Sequence, residues 1–147
     1  MARTIAELCR DNETVPLLAQ DPEYTEVTKE ILTKKGSQIV GPHGAGGFAE
    51  IDEESIVITA FAAAPVKQII ADLGRPLLII STGFGVFNEH EKPFADADSP
   101  RTRQMWLDYD PYSFPGHSDG DGDGLGHTFK GLHLYCRRQQ PQDSQGA

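Results

Sequence analysis

Two continuous apolar segments constrain most tightly what this chain can fold into. Ser55 to Phe61 reads SIVITAF, and Pro76 to Ser81 reads PLLIIS. Both are short, uncharged and dominated by β-branched and aliphatic residues, the character of strands buried on both faces. Between them lie Ala62, Ala63, Ala64 and Pro65, followed by Val66, Ile69, Ile70 and Leu73 at helical spacing before Gly74. Strand, helix and strand in that order make a right-handed crossover with parallel strands. The expectation is an α/β fold with a mostly parallel sheet of about four or five strands. The two apolar segments should lie side by side in its interior.

The flanking sequence extends that frame. Residues 3–10 carry Ile5, Leu8 and Cys9 on one helical face, and Val15 to Gln20 makes a short apolar strand. Asp21-Pro22-Glu23 reads as a helix start, with Asp21 as cap, Pro22 in the first turn and Glu23 at the positive helix end. Tyr24, Val27, Thr28, Ile31 and Leu32 then form an apolar stripe that Gly36 terminates. Ser37 to Val40 is another short strand, and residues 41–54 read as loop with a turn of helix. Residues 83–98 read as a polar loop. Ser99-Pro100 opens a helix with Thr102, Met105, Trp106 and Tyr109 on one side. Residues 110–127, rich in Gly, Pro and Asp, read as loop. In the closing stretch Leu132, Leu134 and Cys136 alternate with His133, Tyr135 and Arg137, as in an edge strand with one wet face. The reading is one domain over residues 1–138 and a disordered tail over 139–147.

The 147 residues amount to one domain. With 22 acidic and 13 basic residues the formal charge is −9, which repels phosphate backbones and argues against nucleic acid as a partner. No apolar run reaches the length of a membrane span, and the first residues lack a signal-peptide core. Cys9 and Cys136 make neither a disulfide framework nor a four-cysteine zinc site. The expectation is a soluble, reduced protein of the cytoplasm or nucleus, without membrane or nucleic-acid partners.

Three stretches together resemble the fungal form of the sensitivity-to-red-light-reduced-like domain family. They are QDPEYTEVTKEIL (20–32), GGFAEIDEESIVITAFAAAPVKQIIADLGRP (46–76) and ADADSPRTRQMWLDYD (95–110), in that order, with LHLYCRR closing the domain. The resemblance covers roughly residues 15–138. It implies a Rossmann-like α/β fold, a three-layer sandwich, and a regulatory role in light and clock signalling or haem-related control. It brings no agreed activity and no known cofactor. Two departures stand out. Family domains open with a further strand–loop–helix, where here only MARTIAELCRDN precedes the Val15 strand. That is the expectation of a shortened or degenerate member, in which an uncovered sheet edge favours oligomerisation. The Pro-His-Cys element of many plant and animal members is replaced by Ala62-Ala63-Ala64-Pro65, so no catalytic or metal role is carried over from it.

In open α/β sheets ligands bind beyond the carboxyl ends of the strands. That rule selects Asp21 and Tyr24 after the first strand, Ala64 and Lys67 after SIVITAF, and Ser81 and Thr82 at the end of PLLIIS as ligand-binding candidates. Small alanines leave room for a ligand, and Lys67 can meet an anion. Gly44-Ala45-Gly46-Gly47-Phe48-Ala49 matches a dinucleotide-binding pattern, but an acidic segment follows it, so a plain loop is the favoured reading. Asp119, Asp121 and Asp123 resemble the start of a calcium loop whose twelfth position is Lys130, a cation, so a solvated acidic loop is preferred. His117 and His127 flank it as loose metal ligands at most. Cys9, Cys136, Trp106 and Tyr109 read as packing residues, and no histidine has a nearby partner that would make a triad. No catalytic or metal residue is assigned. The leading expectation is a regulatory, non-enzymatic protein that acts through protein contacts or a small ligand. The rival is a Rossmann-like enzyme, or a nucleotide or methyl-donor binder, using the sheet rim.

Overall fold

The computed structural model describes residues 1–9, 14–41, 43, 45–60, 62, 64–82, 96–114 and 131–139. The chain forms two compact units, Met1–Ile51 and Asp52–Ala147.

The first unit contains α1 (Ala2–Leu8), β1 (Leu17–Ala19), α2 (Glu26–Lys34), β2 (Ser37–Ile39) and a 3-10 turn at Gly46–Glu50. β1 and β2 pair in parallel, from Leu17 with Ser37 to Ala19 with Ile39. The helix between them starts later than Asp21-Pro22-Glu23 suggests. The cap is Thr25, whose hydroxyl accepts from the Thr28 amide at 3.2 Å. Asp21 instead accepts from the Glu23 amide at 2.9 Å, a side-chain turn that uses the carboxylate before any helix begins. Glu26 in the first turn and Lys34 in the last complement the helix dipole. The chain leaves α2 through Gly36 at φ +88°, a conformation that excludes most side chains.

The second unit contains β3 (Ile56–Thr59), α3 (Val66–Leu73), β4 (Leu78–Thr82), α4 (Pro100–Trp106), β5 (Tyr109–Ser113) and β6 (Leu132–Arg137). Its sheet has the order β3-β4-β6-β5. β3 and β4 are parallel, from Ile56 with Leu78 to Thr59 with Ser81, as the crossover pattern implies. β6 runs antiparallel to both β4 and β5.

The mostly parallel, Rossmann-like sandwich expected from the sequence is therefore not what forms. Among the described residues there are two sheets, one of two parallel strands and one of four strands with a single parallel pair. Two segments account for the difference. LHLYCR is antiparallel as its alternation allows, but it sits between two strands rather than at an edge. Residues 109–113, read as helix end and loop, form β5. Pro111 is tolerated there because β5 is an edge strand, where a missing N–H costs no ladder bond on the solvent side. β3 is the other edge, so its residues are half-buried instead of enclosed on both faces.

The core of this unit is Ile70, Ile79, Ile80, Met105 and Tyr109, each at most 1% exposed. α4 starts as the sequence indicates, with Ser99 as cap, Pro100 in the first turn and a reciprocal Ser99–Thr102 capping box. Its Trp106 stacks on Tyr135 at 4.2 Å and meets Tyr109 edge-on at 5.7 Å. That contact places α4 on the Tyr135 face of the sheet. α3 lies beside it, joined by Arg101 to Asp72 (2.6 Å) and to Gln68 (3.1 Å). The face carrying His133 and Tyr135 is thus covered by helices rather than wet, and Tyr135 is only 5% exposed. Among the described residues no helix is long and apolar enough to cross a membrane.

Candidate functional site

Strand alternation and register together build a polar row at the carboxyl end of the parallel pair. Thr59 on β3 pairs with Ser81 on β4. Ser81 pairs with His133 on β6, and His133 with Ser113 on β5. Directly paired residues project to the same face, with Cβ atoms about 4.5–5.5 Å apart. Thr59, Ser81, His133 and Ser113 therefore form one line of hydroxyl and imidazole groups across all four strands. It lies on the face that α3 and α4 cover. Ser81 is 1% exposed, whereas Ser113 at the outer edge is open.

His133 Nδ1 lies 3.1 Å from the carbonyl oxygen of Gly131. A carbonyl only accepts, so Nδ1 is the donor in this contact, and in a neutral imidazole the lone pair then sits on Nε2. The imidazole stacks over Tyr135 at 6.1 Å. At the other end of the sheet, the Tyr109 hydroxyl donates to the Pro76 carbonyl at 2.7 Å, and burial pushes its phenol up to about 12. Burial likewise raises the Tyr135 phenol.

The two helices add charge at this end. Lys67, in the first turn of α3, is 4% exposed. Its Nζ is 3.9 Å from Asp96 Oδ2, and its amide donates to Asp96 Oδ1 at 2.9 Å. Asp96 thus occupies the start of α3, where an incoming anion would bind. Burial raises its carboxyl, partly countered by the Lys67 amide and ammonium. Next to it Asp98 accepts from Thr102 Oγ1 (2.8 Å) and Arg103 Nε (2.6 Å). Burial would raise that carboxyl, but the Arg103 and Thr102 hydrogen bonds outweigh it and hold the group below its ordinary value.

The six ligand-binding candidates are distributed unevenly over this structure. Ala64 and Lys67 lie at the start of α3, and Ser81 belongs to the polar row. Thr82 is buried but alternates to the opposite face, paired with Leu132. Asp21 and Tyr24 belong to the first unit, in the connection between β1 and α2. There Asp21 forms its local turn, and Tyr24 is half-buried, its phenol raised by burial and by the Asp21 charge. Lys67 is enclosed and ion-paired rather than extended toward an incoming anion. His133, Thr59 and Ser113 were not picked out by sequence. The alternation of LHLYCRR hinted that His133 shares a face with Tyr135, but only the strand register brings it to Ser81.

The other motifs resolve differently. From Gly46 onward the glycine pattern is the 3-10 turn, occupied from within the chain, and Gly44 lies outside the described residues. The Gly47 amide donates to Gln20 Oε1 at 2.7 Å, and a Cβ on Gly46 would lie 2.8 Å from the Gln20 amide group. A phosphate cradle needs those amides and that space. The Asp119–Asp121–Asp123 loop, His90, His117 and His127 lie outside the described residues. Among the described residues no three His, Cys, Asp or Glu side chains gather as a metal site. Cys9 is exposed and Cys136 half-buried, both as free thiols. An open hollow of about 340 Å³ in the first unit is lined by Arg3, Val15, Leu17 and Lys34, but Arg3 and Lys34 are already paired with Glu7 and Glu30.

No family model matches the chain, and no curated protein and no solved structure matches it either.

Proposed function

We propose that this chain is a regulatory, non-enzymatic domain of the sensitivity-to-red-light-reduced-like kind, and that it holds a small polar ligand against the row Thr59–Ser81–His133–Ser113. The observation that carries the reading is the in-register pairing of Ser81 with His133, together with the buried Lys67–Asp96 pair at the start of α3. The row offers hydroxyls that donate or accept and an imidazole nitrogen that accepts, backed by an aromatic wall of Tyr135 and Trp106. Such convergence of a few polar groups on an apolar backing is the usual make-up of a small-ligand site. Lys67 and Asp96 neutralise each other, so the site favours a polar ligand of little net charge over a strongly anionic one. Retention of a ligand suits regulation, because binding to the native state stabilises it by an amount that grows with the logarithm of ligand concentration.

An enzyme is the second reading, favoured by one feature: a serine opposite a histidine whose Nδ1 is engaged by a carbonyl, which leaves Nε2 as the nitrogen to face a proton donor. Ser81 at 1% exposure fits an enclosed contact better than a nucleophile that must meet an incoming substrate.

Thermal shift against a panel of nucleosides, methyl donors and other polar metabolites of little net charge tests the proposal. At least one class should raise the melting temperature, by an amount equivalent to about 2.7 kcal/mol at a hundredfold excess over Kd. Ser81→Ala and His133→Ala should each lose that shift while melting cooperatively. A shift unchanged in both variants would remove the row from consideration. Turnover of a generic ester that depends on Ser81 would replace regulation by catalysis.

A further inference from the structure

The two edges of the four-stranded sheet are built differently. β5 is guarded, with Pro111 in its middle and Asp110 and Ser113 beside it. A proline and polar side chains on an edge discourage further pairing. β3 is Ile56-Val57-Ile58-Thr59, without charge or proline. The phase of its backbone follows from one acceptor. The Ser55 carbonyl takes the amides of Leu77 (3.0 Å) and Leu78 (3.5 Å), so Ser55 turns its backbone toward β4. By alternation Val57 and Thr59 do the same, and Ile56 and Ile58 turn N–H and C=O to the other side. Among the described residues no backbone group bonds Ile56 or Ile58 on that side.

Charge distinguishes between occupants of this edge. Asp52, Glu53 and Glu54 precede β3, separated from it by Ser55, and are exposed, Glu53 with the Arg137 guanidinium 4.0 Å away, on a chain whose formal charge is −9. A second copy would bring the same negative excess and the same three acids, whereas a basic strand would offset them. We propose that the edge of β3 that no described strand covers accepts an extended strand from a partner protein, made of alternating β-branched residues and carrying Lys or Arg at the end that meets Asp52–Glu54. Backbone bonds to Ile56 and Ile58 supply the attachment, and the acidic triad selects the basic end. This inference is independent of the ligand proposed for the polar row.

The probe is a fluorescein-labelled peptide, Lys-Arg-Lys-Val-Thr-Val-Thr-Val, titrated by anisotropy against the full chain. Saturable binding near about 100 µM is expected for so short an edge. A version with proline at alternate valines should bind at least about fivefold more weakly, because it lacks the N–H groups a ladder needs. The double variant Glu53→Lys with Glu54→Lys should lose about fivefold for the basic peptide. It should gain for a peptide headed by Glu-Glu-Glu. Ile58→Pro should weaken the basic peptide too, and where that variant fails to fold the charge reversal carries the test. No saturation by about 1 mM would overturn the proposal. Equal binding of the proline peptide would also overturn it, by reducing the interaction to loose charge attraction. A concentration-dependent dimer in light scattering that Ile58→Pro dissolves would assign the edge to a second copy instead.

Discussion

Tyr109 ties three parts of the second unit together with one side chain. It opens β5, meets Trp106 of α4 edge-on, and closes on the Pro76 carbonyl that leads into β4. Sequence periodicity places it on the α4 stripe, since it follows Met105 at helical spacing. The helix ends first because its last carbonyls are met at Leu107 and Asp108, and the tyrosine then enters the sheet. Its burial has a sign in pH. The phenol is raised from 10.0 to about 12 in the fold, so the native state holds the proton more tightly than the unfolded chain. The stabilisation is complete below pH 10, falls as pH rises, and is gone above about 12. It amounts to about 2–3 kcal/mol. Urea unfolding followed from pH 9 to 12 should show that decline, and Tyr109→Phe should flatten most of it. The same variant should cost about 1–2 kcal/mol at pH 8, because it leaves the buried Pro76 carbonyl without its donor.

At the scale of elements, hydrophobic pattern and end signals carried well where neighbours in sequence decide the outcome. The parallel β3–β4 pair, the α3 stripe, the Ser99-Pro100 start of α4 and the Gly36 stop were all legible, because each rests on residues within a few positions of one another. The strands that the sequence obscured depend on distant partners. β5 contains a proline and polar residues, and it exists only because β6 supplies its ladder. Thr59, Ser81, His133 and Ser113 are likewise scattered along the chain and meet only through register. The 3-10 turn at Gly46–Glu50 shows the same dependence on a smaller scale. Its glycines read as a loop, and what decides their geometry is Gln20, held against them from the end of β1. Gly46→Ala should therefore destabilise the first unit by about 1–2 kcal/mol, combining the positive φ with displacement of the Gln20 amide. A denaturant melt read by backbone signals of residues 17–50 is the measurement. A loss below the error of the fit would show that Gln20 moves aside without cost.

On the scale of the whole molecule the two units differ in enclosure. No described residue between Met1 and Ile51 is fully buried, whereas the second unit encloses Ile70, Ile79, Ile80, Met105 and Tyr109. Local opening costs least where few apolar side chains are sealed from water. Amide exchange over residues 17–39 should thus run at least about a hundredfold faster than at Ile79 and Ile80. Comparable protection in both would contradict the difference in enclosure. The strand order carries one more consequence, for the time before the fold exists. β4 and β5 share no ladder of their own, and β6, translated after both, is the strip that joins them. As the nascent chain leaves the ribosome, the greasy LIIST stretch must wait beside an incomplete sheet until that strip is made. A pause in translation between Ser113 and Leu132 would prolong the wait and increase the demand for chaperone holding at that stage.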